Sequence, residues 1–463
     1  MELAINKSNT FTSTRNACKL CSPLGASLVF KGIEGCIPMI HGSQGCATYI
    51  RRYMISHYKE PVDIASSNFS EETTIYGGNK NFCTGIDNVR KMYNPAVIGI
   101  ASTCLSETIG EDIPRLIKEY AQLHEGEQIP VFIHASTPSY QGSHMDGFHE
   151  TVLSAVASLA TEGATSKQIN IFSGFISPAD IRYIKEICDD FGVEYMVFPD
   201  YSDTLDNPHW KDYQLIPEGG TPVAQIKNAA NAIASIEFGT IMNKVVSTSK
   251  SSAAHTAGEW LEKHHSVPNT RMPLPIGIEA SDMFFKTLET ISGIATPRHH
   301  ARERGRLIDA YVDGHKYVFG KRAVVFGEED MVLSMVAFLH EIGIETVLAG
   351  SGGESNSLKK EIDARTGGVY PNMIVMNNLD FETINEMVDE LKPDIFIGNS
   401  KGYYIARRLK KPIVRIGFPI HDRFGAQRLH HIGYRGTQEL FDRIVNALIE
   451  YKQEHSPVGY KYI

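Results

Sequence analysis

A chain of 463 residues, 42% hydrophobic and 21% charged, has an ordinary globular composition and room for roughly three domains of about 150 residues each. Its net charge of −9, with no basic tail or Lys/Arg run, argues against nucleic acid as a partner. No apolar run reaches the ~18 residues of a membrane span, and the first residues, Met1-Glu2-Leu3-Ala4-Ile5-Asn6-Lys7, lack the charged-then-apolar order of a secretory signal. A cytoplasmic protein with no membrane partner is expected.

The chain opens with cysteines set in bend-prone sequence. Cys21 lies in Cys18-Lys19-Leu20-Cys21-Ser22-Pro23-Leu24-Gly25, Cys46 in His41-Gly42-Ser43-Gln44-Gly45-Cys46, and Cys104 in Ala101-Ser102-Thr103-Cys104-Leu105-Ser106-Glu107. Small residues let backbone approach a bulky inorganic group, and thiolates are the soft ligands that iron–sulfur clusters use. Cys18 and Cys21 form a Cys-x-x-Cys, which alone reads as a redox dithiol, a metal half-site or coincidence. No strong strand precedes it, as a thioredoxin-like motif would need, and no second Cys-x-x-Cys completes a zinc ribbon. Seven cysteines (18, 21, 36, 46, 83, 104 and 188) in a reducing compartment are not expected to form structural disulfides. Cys36, Cys83 and Cys188 read as small buried hydrophobes. Single scattered cysteines point to a cluster that a second chain completes. His41, His57, His134 and His144 are able to act as ligands or bases, and the expected role for each is structural.

Further along, short Val- and Ile-rich runs end in small residues. They cover residues 96–101, 130–134, 169–173, 323–327, 346–350, 394–398 and 412–416. Amphipathic stretches lie between them at 113–123, 180–190, 331–342 and 384–391. Continuous apolar strands alternating with helices predict parallel sheets covered on both faces, the doubly wound α/β class. The polar stretch 161–168 and a charged helix around 301–306, following Pro297, divide the chain into three α/β domains at 1–165, 166–300 and 301–463. Residues 247–252 read as an exposed Ser/Lys loop.

Ligands of parallel sheets bind at the carboxyl ends of strands. Cys104, Ser139 and the pair Asn399-Ser400 each follow such an end. There is no Gly-x-x-x-x-Gly-Lys-Ser/Thr loop and no dinucleotide fingerprint, which argues against intrinsic ATP hydrolysis and NAD binding. Arg51-Arg52 and Glu71-Glu72 read as solvated faces. Asp422-Arg423 and Gln427-Arg428 around Gly425 read equally as a contact for a subunit or anionic cluster and as structural ion pairs.

These motifs together resemble the β-type subunits of the nitrogenase component 1 superfamily, nearly end to end. The likeness runs through His41 to Cys46, His57-Tyr58-Lys59-Glu60-Pro61, Tyr76-Gly77-Gly78, Thr103 to Asp112, Thr137-Pro138-Ser139-Tyr140 with Gly142-Ser143-His144, and Gly417-Phe418-Pro419-Ile420-His421-Asp422-Arg423. The resemblance implies three Rossmann-like domains, an α2β2 assembly with a paralogous α-type subunit, and an iron–sulfur cluster, of 4Fe–4S or P-cluster type, at the α–β interface. It implies that Cys21, Cys46 and Cys104 are this chain's metal ligands and that Ser139 is able to join them on oxidation. It further implies electron delivery from an ATP-dependent reductase iron protein. The iron–molybdenum cofactor, or its precursor, would be held mainly by the partner subunit.

Within the superfamily, the segments Gly425-Ala426-Gln427-Arg428 and Gly433 to Asp442 look like the NifN-type scaffold subunit on which that cofactor matures. The absence of a long N-terminal extension points the same way, and the scaffold role is the expectation. The retention of all three cysteines fits the alternative, the catalytic (NifK-type) β chain. A cluster-free interaction subunit, with its cysteines merely buried, is the reading of a different class.

Overall fold

The structure is a computed structural model that describes residues 17–241 and 256–457. The loop expected at 247–252 lies outside the described residues.

Among the described residues thirteen strands build three sheets, and every ladder between them is parallel. The first sheet contains β1 (Cys36–His41), β2 (Ala65–Ser66), β3 (Val97–Ser102) and β4 (Val131–Ala135), in the order β2-β1-β3-β4. The second contains β5 (Ile169–Phe172), β6 (Tyr195–Phe198), β7 (Ala234–Phe238) and β8 (Asn269–Met272), in the order β6-β5-β7-β8. The third contains β9 (Arg322–Gly327), β10 (Glu345–Ser351), β11 (Ile374–Met376), β12 (Ile395–Gly398) and β13 (Ile413–Arg415), in the order β11-β10-β9-β12-β13. Parallel neighbours need long crossovers, so helices cover the faces and central strands become apolar on both sides. β1 and β3 are accordingly buried along their whole lengths.

β1 carries a proline that disguises it in the sequence. β2 pairs only with Met39 and Ile40, so no ladder runs beside Pro38 on that edge. On the other edge β1 pairs with β3 from Cys36–Val97 to His41–Ser102. In the first sheet the chain goes from β1 outward to β2, then returns to the other side of β1 for β3 and β4. The order therefore reverses between β1 and β3, and the carboxyl ends of those two strands flank a topological switch point.

The amphipathic stretches form helices with nearly the expected limits: Ile113–Leu123, Pro178–Asp190, Glu329–Glu341 and Phe381–Leu391. The charged stretch after Pro297 is the long helix Arg298–Val318, against which the final helix Gly433–His455 packs. Among the described residues no helix is long and apolar enough to cross a membrane.

One helix is unusual in being buried at every position. Ser22–Lys31 lies across His144–Leu159, and two glycines set the close approach. A Cβ on Gly25 would stand 1.8 Å from the His144 carbonyl oxygen, and one on Gly147 would stand 2.0 Å from the Ser22 carbonyl oxygen. No larger residue fits at this crossing without separating the helices.

Candidate metal centre

The loops that leave β1, β3 and β4 carry Cys46, Cys104 and Ser139. Each local fold follows from its capping residues. Ser43 caps the helix Gln44–Tyr58 and its hydroxyl accepts the Gly45 N–H, which puts Cys46 in the first turn. Thr103 and Ser106 form a capping box that starts Cys104–Thr108 at the cysteine itself. The two loops touch because Gly42 has no side chain: a Cβ there would stand 2.2 Å from Thr103 Oγ1. Behind Cys104, the Glu107 carboxylate accepts hydrogen bonds from the hydroxyls of Ser102 and Ser136 and ties the β3 and β4 loops together.

Cys21 arrives from a different direction. It is the N-cap of the buried helix Ser22–Lys31, and the glycine crossing fixes where that helix begins. Ser139 joins the two sides. Its backbone N–H donates to Cys104 Sγ at 3.1 Å, and its hydroxyl accepts the Ser22 N–H at 3.1 Å. His144 anchors the same segment from below. It accepts the Leu20 N–H at Nδ1 (3.3 Å), which leaves the Nε2 proton to face the Glu328 carboxylate at 3.3 Å.

Cys21, Cys46 and Cys104 are all exposed. Burial pushes the Cys46 thiol up, and the neighbouring Cys21 and Cys104 push it further, so the three sulfurs share one field. They do not converge to within 4.8 Å as ligands of a single ion would. Three thiols opening on one surface and spaced wider than the ligands of one ion fit a polynuclear metal cluster better than a mononuclear site. Exposed Tyr49 and Tyr140 flank them, as expected where another chain docks.

The remaining sequence candidates separate from this face. Cys18 is buried in an apolar cluster with Val324, Phe326 and Leu379, and burial pushes its thiol up to about 12. Cys36 and Cys188 are buried as expected, whereas Cys83 is half-exposed on the helix Asn79–Tyr93 and donates to Asn79 Oδ1. His57 is a buried acceptor for the Ile420 N–H, and burial holds its pKa down to about 3. His41 and His134 are also held below the ordinary range by burial. Asn399 and Ser400 turn inward and bind the Phe418 carbonyl and the Asp422 carboxylate, so that loop staples the fold. The polar loop around Gly425 resolves into ion pairs: Asp422 with Arg415 at 2.7 Å and Arg428 with Asp206 at 3.2 Å. Arg51 is exposed but donates to the Val62 carbonyl, while Glu71 and Glu72 lie exposed in the first turn of a short helix.

Residues 21–449 match the family described as nitrogenase component 1 type oxidoreductase. The chain belongs to the nitrogenase component 1 family. It is 35% identical over 441 residues to the nitrogenase molybdenum-iron protein beta chain of Clostridium pasteurianum, covering 94% of this chain and 93% of that one. It is 33% identical to the vanadium-iron protein beta chain of Trichormus variabilis, covering 98% of each. A chain of the solved structure "Nitrogenase Cp1 at pH 6.5" superposes with a TM-score of 0.93 at 32% identity, covering 99% of this chain and 98% of that one. The α/β fold with parallel sheets flanked by helices is therefore that of the family, and the likeness is to its beta chains. These relatives carry the names of catalytic beta chains, which moves the reading away from the expected scaffold.

Sequence reasoning missed the residues that hold the thiols in place. Gly25, Gly147 and Glu107 carry no metal chemistry of their own. The signal available was weak: a glycine two residues after Pro23, and an acid three residues after Cys104.

Proposed function

We propose that this chain is the catalytic β subunit of a component 1 nitrogenase, assembled with a paralogous α-type subunit as α2β2. In this reading Cys21, Cys46 and Cys104 hold iron at the α–β interface, with Ser139 beside them. The observation that carries it is the gathering of three exposed thiols on one face, in a chain this similar to catalytic beta chains over nearly its whole length. An iron–sulfur cluster bound there supplies one-electron transfer. The chain's own residues do the rest. Ser139 N–H donates to the Cys104 sulfur, a contact of the kind that tunes cluster potential. The glycine crossing and His144 fix Cys21, and the capped loops fix Cys46 and Cys104. An ATP-dependent reductase iron protein is the proposed electron source, the substrate-reducing cofactor is assigned to the α-type partner, and the compartment is the cytoplasm. The division at 1–165, 166–300 and 301–463 belongs to the same proposal.

The scaffold role remains the second reading, favoured by the segment Gly425 to Arg428 and the start of the final helix. The deciding experiment is anaerobic purification of the complex with its α-type partner, followed by dinitrogen and acetylene reduction with reductase and ATP. Sustained turnover with bound molybdenum or vanadium supports the catalytic reading. No turnover, together with activation of a cofactor-less nitrogenase, overturns it in favour of the scaffold.

A further inference from the structure

A second group of metal-ligating side chains lies apart from the thiols, where the helix Pro178–Asp190 ends and Arg298–Val318 begins. The Nε2 atoms of His299 and His300 stand 2.8 and 3.0 Å from one oxygen, Oδ2 of Asp190. All three potential ligand atoms lie within 4.8 Å of one another, a convergence no other His/Cys/Asp/Glu trio attains among the described residues. Asp190 and His299 are exposed, whereas the His300 side chain is fully buried.

The proton count at His300 is informative. Its Nε2 faces Asp190 and its Nδ1 lies 3.3 Å from Glu303 Oε2, so both ring nitrogens point at carboxylate oxygens. A neutral imidazole has one proton and is able to donate to only one of them. Donation from Nδ1 to Glu303 aims the Nε2 lone pair at the space that His300 shares with Asp190 and His299. Glu303 also receives Arg435 at 3.0 Å and the Tyr183 hydroxyl at 2.9 Å, which hold its carboxylate in place as the acceptor for that Nδ1–H.

We propose that Asp190, His299 and His300 form a binding site for a late first-row divalent metal ion, with Glu303 orienting His300 through its Nδ1–H. Imidazole with carboxylate suits zinc, nickel or copper rather than magnesium or calcium. Three protein ligands leave a further position for water. Because the ligands come from two helices far apart in sequence, the ion ties the helix that follows β5 to the helix that leads into β9.

The test uses the full-length chain in its native assembly, freed of loosely held metal by chelator and dialysed against micromolar zinc chloride. Zinc is counted by mass spectrometry, and its ligands are read by X-ray absorption. The expected result is one zinc per chain with only nitrogen and oxygen neighbours, at about 2.0–2.1 Å. His299→Ala and Asp190→Asn, both at exposed positions, should remove that equivalent. Glu303→Gln should weaken binding roughly 10- to 100-fold, and Cys46→Ala should leave it in place. The proposal is overturned if the wild-type assembly takes up no such zinc. Unchanged uptake in the Asp190 and His299 variants, or a sulfur-only shell, overturns it equally.

Discussion

Cys18 and Cys21 are three residues apart and live in opposite chemical worlds. Cys18 lies under the third sheet, packed on Val324 and Phe326, with its thiol held protonated by burial. Cys21 is exposed at the start of a helix and, with Cys104, acts on the Cys46 thiol. Spacing alone pairs Cys21 with Cys18, whereas the exposed thiols grouped with Cys21 lie 25 and 83 positions downstream. Availability of a thiol is decided by the packing of the elements that carry it.

The contrast should be sharpest in thiol reactivity. In the metal-stripped full-length chain at pH 8, mass spectrometry after brief alkylation should find label on Cys21, Cys46 and Cys104. Cys18, Cys36 and Cys188 should stay unlabelled, because burial both shields them and suppresses the thiolate. Equal labelling of Cys18 and Cys21 would remove the distinction.

The next effect is on the scaffold beneath Cys21. Gly147→Ala drives a methyl against the Ser22 carbonyl, and overpacking of this kind costs about 3 kcal/mol. Denaturant midpoint and iron content should fall together. An alanine variant with normal stability and iron would show that the close crossing does not position the thiol.

Acid should destabilise the fold through its buried histidines. Burial lowers His57 and His149 to about 3 and His134 to about 4 in the folded chain. The unfolded chain, with histidines near their ordinary value of about 6.5, therefore binds more protons as the pH falls. Stability from these groups is complete above about pH 6.5 and is lost progressively toward pH 3–4. Urea midpoints measured across that window should decline with acid, and His57→Gln should flatten the slope. A pH-independent midpoint would contradict the account.

The smallest change comes from Ser139→Ala. It removes the acceptor for the Ser22 N–H, worth about 1 kcal/mol, but keeps the backbone N–H that meets Cys104. Iron content should hold while the midpoint drops slightly. Loss of iron would mean that the hydroxyl does more than brace the Cys21 helix.

Much of the fold was legible because parallel strands are continuously apolar. The runs at 96–101, 323–327 and 394–398 became β3, β9 and β12 with limits shifted by a residue. β1 stayed hidden because Pro38 interrupts it, and it is tolerated only because β2 is two residues long. β8, Asn-Thr-Arg-Met, lies at the edge of the second sheet and opens with three polar residues in a row, so it carries no continuous apolar signal. For the site, Cys104 was legible as a cysteine that follows a strand, whereas the strand that leads to Cys46 is the hidden β1. The approach of Cys21 to them depends on Gly25 against the His144 carbonyl and Gly147 against the Ser22 carbonyl, contacts between distant residues that no local pattern records. The same holds for Asp190 and the adjacent pair His299-His300, since Asp190 stands more than a hundred residues from the two histidines.

The central claim is that exposed thiols, not neighbouring ones, hold the iron. Its most direct test is the iron content per chain of anaerobically purified assemblies carrying Cys46→Ala or Cys18→Ala, measured beside the wild type. The account predicts that Cys46→Ala loses iron and the interface cluster's spectroscopic signal while Cys18→Ala keeps both. Iron retained in Cys46→Ala, or lost in Cys18→Ala with the fold intact, would contradict it.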